Sequence, residues 1–169
     1  MKRLFFILLV FAVFFSCRQA PEKITKHHSE YHFSEISFDS MLKREKLYVP
    51  VYSDIYHIDA RHTFPLTATL SIRNVSETDS LFIGRVDYYN SRGEKIRGYA
   101  STVFLLNPLE SIEFVVENKD DTGGVGANFI VEWGTLKDTN QRPYVQCVMI
   151  GTSGQQGISF LTEGIPVKN

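Results

Sequence analysis

Several groups of side chains have the right chemistry for a metal site or a reaction, and their spacing decides what they can do. His57, Asp59 and His62 offer imidazole and carboxylate, the donors of zinc sites and of general acid–base catalysis. That spacing makes a ligand set only if a loop folds the three together, and the expected reading is a polar surface turn. His27, His28 and His32 align only on a helix, and in their Lys/Ser/Glu context they read as solvated. Gly124-Val125-Gly126 has the look of a phosphate loop, but a dinucleotide fingerprint needs its glycines between a strand and a helix. A strand follows here, so a turn with positive φ is expected. Asn118, Asp120 and Thr122 before Gly123 imitate the start of a calcium loop, yet the position that must supply a bidentate Glu is Phe129. Ser153 lacks the strand-to-helix turn that exposes a nucleophile. These patterns predict no catalytic residue, no metal and no cofactor. A metal-dependent enzyme built on His57, Asp59 and His62 is the remote alternative.

Aromatic side chains are the better lead. Tyr52, Tyr56, Tyr89 and Tyr99, with His57 beside them in sequence, form the candidate binding surface. Tyrosines on a sheet face combine rigid contact area with a polar tip, which suits a protein partner or a glycan. The competing expectation is that they pack beneath loops at the edge of the domain.

The elements that must carry these residues read as strands. Leu66 to Arg73 alternates apolar and polar without a slip, the period of a half-buried strand. Phe82, Gly84, Val86 and Tyr88 are expected on one face of the next strand, with Arg85, Asp87 and Tyr89 on the other. Asn90-Ser91-Arg92-Gly93 is turn chemistry that returns the chain as a hairpin through Glu94 to Tyr99. Thr102 to Leu106 is short and ends at Asn107-Pro108. Ile112, Phe114 and Val116 alternate, as do Ala127, Phe129, Val131 and Trp133. Pro143 to Ile150 is apolar on both faces and should be a central strand. Gly151 to Gly157 reads as a glycine-rich turn, and Ile158 to Leu161 as the last strand. Pro50 within Tyr48–Tyr52 cannot donate to a ladder, so that strand should lie at an edge or carry a bulge. About eight or nine short strands divided by polar turns predict an all-β antiparallel sandwich.

The N-terminus has another logic. Lys2 and Arg3 precede the unbroken apolar run Leu4–Phe15, which is far short of the roughly 20 residues that span a bilayer and matches a signal-peptide core. Ser16 then precedes Cys17. This arrangement resembles a bacterial lipobox, with Phe15 departing from the usual small residue. The resemblance implies a diacylglyceryl thioether and an N-acyl chain such as palmitate on Cys17, and hence a membrane-anchored protein of the cell envelope. Arg18, in place of a retention Asp, favours the outer membrane. The other cysteine, Cys147, sits inside the apolar run Tyr144–Ile150 and is expected as a small buried hydrophobe, not a disulfide partner of Cys17. Lys plus Arg number 18 against 19 Asp plus Glu. Loss of residues 1–16 takes Lys2 and Arg3 with it. No basic field is left to hold nucleic acid.

Two stretches, Asp87–Gly93 and Leu106–Phe114, resemble bacterial immunoglobulin-like modules in their turn-to-strand pattern. A broader set is similar to the bacterial family of unknown function numbered 3124: Tyr48–Ser53 with Ile55-Tyr56-His57, Leu66–Asn74, Val86–Tyr89, Gly123–Trp133 and Val148–Gly151. That resemblance covers about residues 46 to 162 and implies an envelope-located, often lipidated domain with no assigned activity. The expected organisation is a lipoprotein signal peptide over 1–16, a lipidated tether over 17–45 and the immunoglobulin-like sandwich over 46–169.

Overall fold

Alternating side chains force strands to bury one face, and two such sheets bury each other. The computed structural model describes residues 31–153 and 156–167. Its strands are β1 (His32–Phe33), β2 (Lys43–Val51), β3 (Asp54–His57), β4 (Asp59–Pro65), β5 (Thr67–Arg73), β6 (Leu81–Tyr89), β7 (Lys95–Ala100), β8 (Phe104–Leu106), β9 (Ser111–Val116), β10 (Ala127–Thr135), β11 (Tyr144–Ser153), β12 (Gln156–Glu163) and β13 (Ile165–Pro166). One sheet runs β1-β8-β6-β10-β2-β13, with β7 also on β6, and the other runs β12-β11-β5-β9. A separate two-stranded hairpin is β3-β4. All pairings are antiparallel. The result is the all-β sandwich the alternation predicts, with more strands than expected because β1, β3, β4 and β13 are short or irregular in pattern.

The core lies between the two sheets. Leu66, Ala68, Leu70 and Ile72 from one sheet are sealed from solvent, as are Phe129, Val131 and Trp133 from the other. β11 is central, between β12 and β5, but only its Val145, Cys147 and Met149 face is buried; Tyr144 and Ile150 on the other are exposed. Cys147 is a free, fully buried member of this core, and burial pushes its thiol up to about 12. Cys17 and the lipobox lie outside the described residues.

Three expectations change. The register of β10 on β6 slips between Glu132 and Trp133, so Arg85 faces Glu132 while Ile83 faces Trp133. Gly84 is the extra residue of a β-bulge, which turns the strand over. Leu81 and Ile83, not Phe82 and Gly84, therefore join Val86 and Tyr88 in the inter-sheet cluster, and Phe82 is buried apart from it. The Phe38 ring lies against Gly84, where a side chain would meet it at 2.6 Å. The folded unit also begins before residue 46. β2 starts at Lys43, the Met41 side chain is buried, and Leu42 N–H donates to the Thr135 carbonyl at 3.0 Å. Lastly, Gly151, Thr152 and Gly157 are strand residues paired across β11 and β12, not a turn.

Pro50 lies where its imide costs nothing. Val167 N–H donates to the Lys46 carbonyl, so even-numbered residues of β2 turn towards β13. β13 ends its pairing at Tyr48, which leaves Pro50 facing no strand on that side. Its carbonyl accepts from the Thr162 hydroxyl at 2.5 Å.

Candidate binding surface

After Val51 the chain leaves the sheet and doubles back as β3-β4. Ser53 anchors the base: its N–H donates to the Gly124 carbonyl and its carbonyl accepts from Leu66 N–H. Ile55 and Phe64, opposite each other in the hairpin, turn inward and pack on the core. Phe64 reaches β11 only because residue 151 is glycine, since a Cβ there would come within 2.2 Å of its ring. The turn is held by Ile58 at φ 67°, a conformation disfavoured for a β-branched residue, and its side chain is 86% exposed.

A cleft of about 310 Å³ opens between this hairpin and the start of β12, lined by Ile55, His57, Phe64, Gln156, Gly157 and Ile158. Its walls are mostly apolar, and His57 and Gln156 supply the polar groups. The His57 ring meets Phe64 edge-on at 6.1 Å. Neither the hairpin register nor the cleft was visible as a pattern in the chain; Ile55, Phe64, Gln156 and Ile158 are residues that sequence reasoning passed over.

The five candidate surface residues divide. Tyr52, Tyr56 and His57 belong to this end of the molecule. Tyr52 meets Phe160 of β12 edge-on at 5.7 Å, and Tyr56 is well exposed. His57 lines the cleft. Tyr89 ends β6 opposite Asn128, away from the cleft. Tyr99 has a packing role. Its ring lies 5.5 Å from Phe114 and 5.8 Å from Phe129, and its hydroxyl donates to the Val115 carbonyl at 3.0 Å. Arg97 donates to that hydroxyl and to Asp120.

The other constellations resolve by contact. Asp59 binds His62 Nδ1 at 2.7 Å and accepts from Arg61 N–H at 2.8 Å. The Arg61 backbone bond and then the His62 contact hold its carboxyl below the usual range. His57, opposite Asp59 in the hairpin, meets the His62 ring edge-on at 6.4 Å between centres and makes no hydrogen bond to the Asp59–His62 pair. Among the described residues no group of three or more His, Cys, Asp or Glu side chains could hold a metal ion. Asp120 is occupied by Thr122 and Arg97. Gly124 has φ +75°, the left-handed geometry expected of the glycine pair, and Gly126 N–H donates to the Ser91 hydroxyl. The fold adds one pair that spacing did not show. Asp54 lies near Asp121, and burial first, then that neighbouring charge, raises its carboxyl.

A second groove, of about 470 Å³, lies on the outer face of the larger sheet beside Phe38, Asp39, Arg44, Lys46, Glu132 and Val167. Its charges are paired, including Glu45, which also lines it and binds Arg142 outside the groove at 2.8 Å. Glu132 binds Lys46 at 3.3 Å and Arg85 at 2.9 Å, and Arg44 binds Asp39 at 2.6 Å. It offers no surplus charge to an ionic ligand.

The sequence from residue 44 to 167 matches the model of DUF3124, a family described as "Protein of unknown function". The chain belongs to this family. The match spans every strand from β2 to β13 and therefore the cleft, the hairpin and both sheets. No curated protein matches the sequence. A solved structure titled "Crystal Structure of Thermotoga maritima 1070" is similar over 72% of this chain and 92% of that one, at 12% identity and a TM-score of 0.41. Likeness at that level carries no argument about function. Among the described residues no helix is long and apolar enough to cross a membrane.

Proposed function

We propose that this member of DUF3124 is a lipid-anchored, non-catalytic binding module of the bacterial cell envelope. The observation that carries the binding half is the cleft between the β3-β4 hairpin and β12. It is open and apolar, and it joins no nucleophile to a base. Its polar groups, His57 and Gln156, can orient a guest. The anchor half rests on Leu4–Phe15, Ser16 and Cys17. Two or more acyl chains would hold the domain at a membrane surface, because each buried methylene contributes about 0.8 kcal/mol. The partner is then another envelope protein within reach of the tether. A glycan platform draws less support, since Tyr52 stands edge-on to Phe160 and Tyr99 is engaged with Val115.

Thiol counting tests the anchor. Cys147 is buried with its thiol pushed up to about 12, so the native protein should not react with a thiol reagent at neutral pH. In denaturant, one thiol should titrate if Cys17 is a thioether; two would remove the lipid reading. For the binding half, a photo-crosslinker at Ile158 in intact cells should capture one discrete envelope protein. Repeated failure to trap any would argue for a purely structural domain.

A further inference from the structure

The cleft has a strand for a wall, and that strand is unprotected. β12 is the last strand of its sheet, paired only with β11. Gly164 N–H donates to the Val145 carbonyl at 2.9 Å, which sets the phase of the ladder. Hydrogen-bonded pairs alternate along antiparallel strands. With the observed register, Thr162, Phe160 and Ile158 bond to β11, while Leu161, Ser159 and Gly157 turn their N–H and C=O groups outward. Among the described residues no backbone group meets that outward row.

Several other strand edges among the described residues are covered or blunted. β13 lies on β2, and β7 and β8 share the free side of β6. β9 carries Glu113 on its solvent face, and its outward carbonyl at Val115 is taken by the Tyr99 hydroxyl. Proteins normally guard open edges with Lys, Pro, inward charges or bulges. β12 has one charge, Glu163 at its far end; Gln156 to Thr162 is seven residues without a charge or a proline, continuous in register with β11. Beside it, on the inner face, Ile158 opens into the cleft and Phe160 packs under Tyr52.

We infer that β12 is a docking edge for an extended segment of a partner protein, which adds as a further strand and sets apolar side chains into the cleft against Ile55, Phe64 and Ile158. In strand addition the main chain supplies affinity and pockets for alternate side chains supply specificity. Both parts are present here, side by side. The lack of charge along the edge predicts an uncharged segment with apolar residues at every second position.

This inference rests on the binding-module reading, and one experiment separates the two. Random linear peptides displayed on phage are selected on the detergent-solubilised full-length protein, and hydrogen exchange is followed with the winning peptide. In the free protein the amides of Gly157, Ser159 and Leu161 should exchange fast. The selected peptides should carry alternate apolar residues and slow those amides by about tenfold or more. Ser159→Pro removes an outward N–H without breaking the bond pattern to β11 and should weaken binding by about tenfold. Ser159→Lys, a charge on the same edge, should do likewise if the proline variant fails to fold. Amides already protected in the free protein, selected peptides that protect another region, or a β12-mediated dimer would each overturn it. If Ser159→Pro leaves the crosslinked partner at Ile158 unchanged in cells, the edge inference falls and the binding reading stands. If neither protein traps a partner, the binding reading itself falls.

Discussion

Asn74 shows how one polar side chain can organise a loop at the end of a sheet. It is nearly buried, and its amide nitrogen donates to the carbonyls of Asp79, Leu106 and Asn107 while its oxygen accepts from Ser76 N–H. The residue joins the end of β5 to the ends of β6 and β8. Buried groups stripped of their partners cost about 1–3 kcal/mol each. Asn74→Ala should therefore lower unfolding free energy by about 3 kcal/mol in urea titration. A loss within experimental error would mean that water replaces the amide at no cost.

At the scale of elements, the Asp120–Arg97–Tyr99 chain ties β7 to the edge of β9 and so closes one side of the sandwich. Burial pulls the Asp120 carboxyl upward, but its bonds to Thr122 and the Arg97 guanidinium outweigh that and leave it below the ordinary 3.8. A carboxyl lowered on folding stabilises the protein above its unfolded value, and that contribution disappears as pH falls through the folded value. Asp120→Asn should thus melt below wild type at pH 7, and the gap should close once the pH is below the lowered value. A gap that stays constant down to pH 2 would show that charge is not what Asp120 contributes. The β3-β4 hairpin is held differently. Two inward side chains, Ile55 and Phe64, and the space left by Gly151 seat its base, while Ile58 at the turn stays in solvent.

For the whole molecule, where the folded domain begins matters most. Met41 is buried, Leu42 is bonded to Thr135, and Lys43, Arg44 and Glu45 complete the ladder with Thr135, Gly134 and Trp133. A chain beginning at residue 31 should fold normally. One beginning at residue 46 should lose more than about 3 kcal/mol, the usual cost of a vacated core site with its hydrogen bonds. Chemical denaturation of the two forms measures this; equal midpoints would show that residues 31–45 add nothing to the fold.

Much of the fold was legible because the pleat has a period of two and water enforces it locally. Leu66 to Arg73, Ile112 to Val116 and Ala127 to Trp133 each turn inward the residues that alternation assigns. The apolar run around Cys147 is a central strand, although its second face, with Tyr144 and Ile150, is open to solvent. Other features depend on which strands meet, and that is settled by pairing between distant residues. Gly84 becomes a bulge only against Glu132 and Trp133, and this puts Ile83 into the inter-sheet cluster while Phe82 is buried outside it. Tyr99 becomes a latch only because β9 passes beneath it. His57 lines a cleft only because β12, about a hundred residues further along, ends its sheet there. Local periodicity determined the faces of the strands, since each side chain meets water or its neighbours on its own account. Tertiary structure alone decided registers, edges and the cleft, because those belong to pairs of strands and not to either strand by itself.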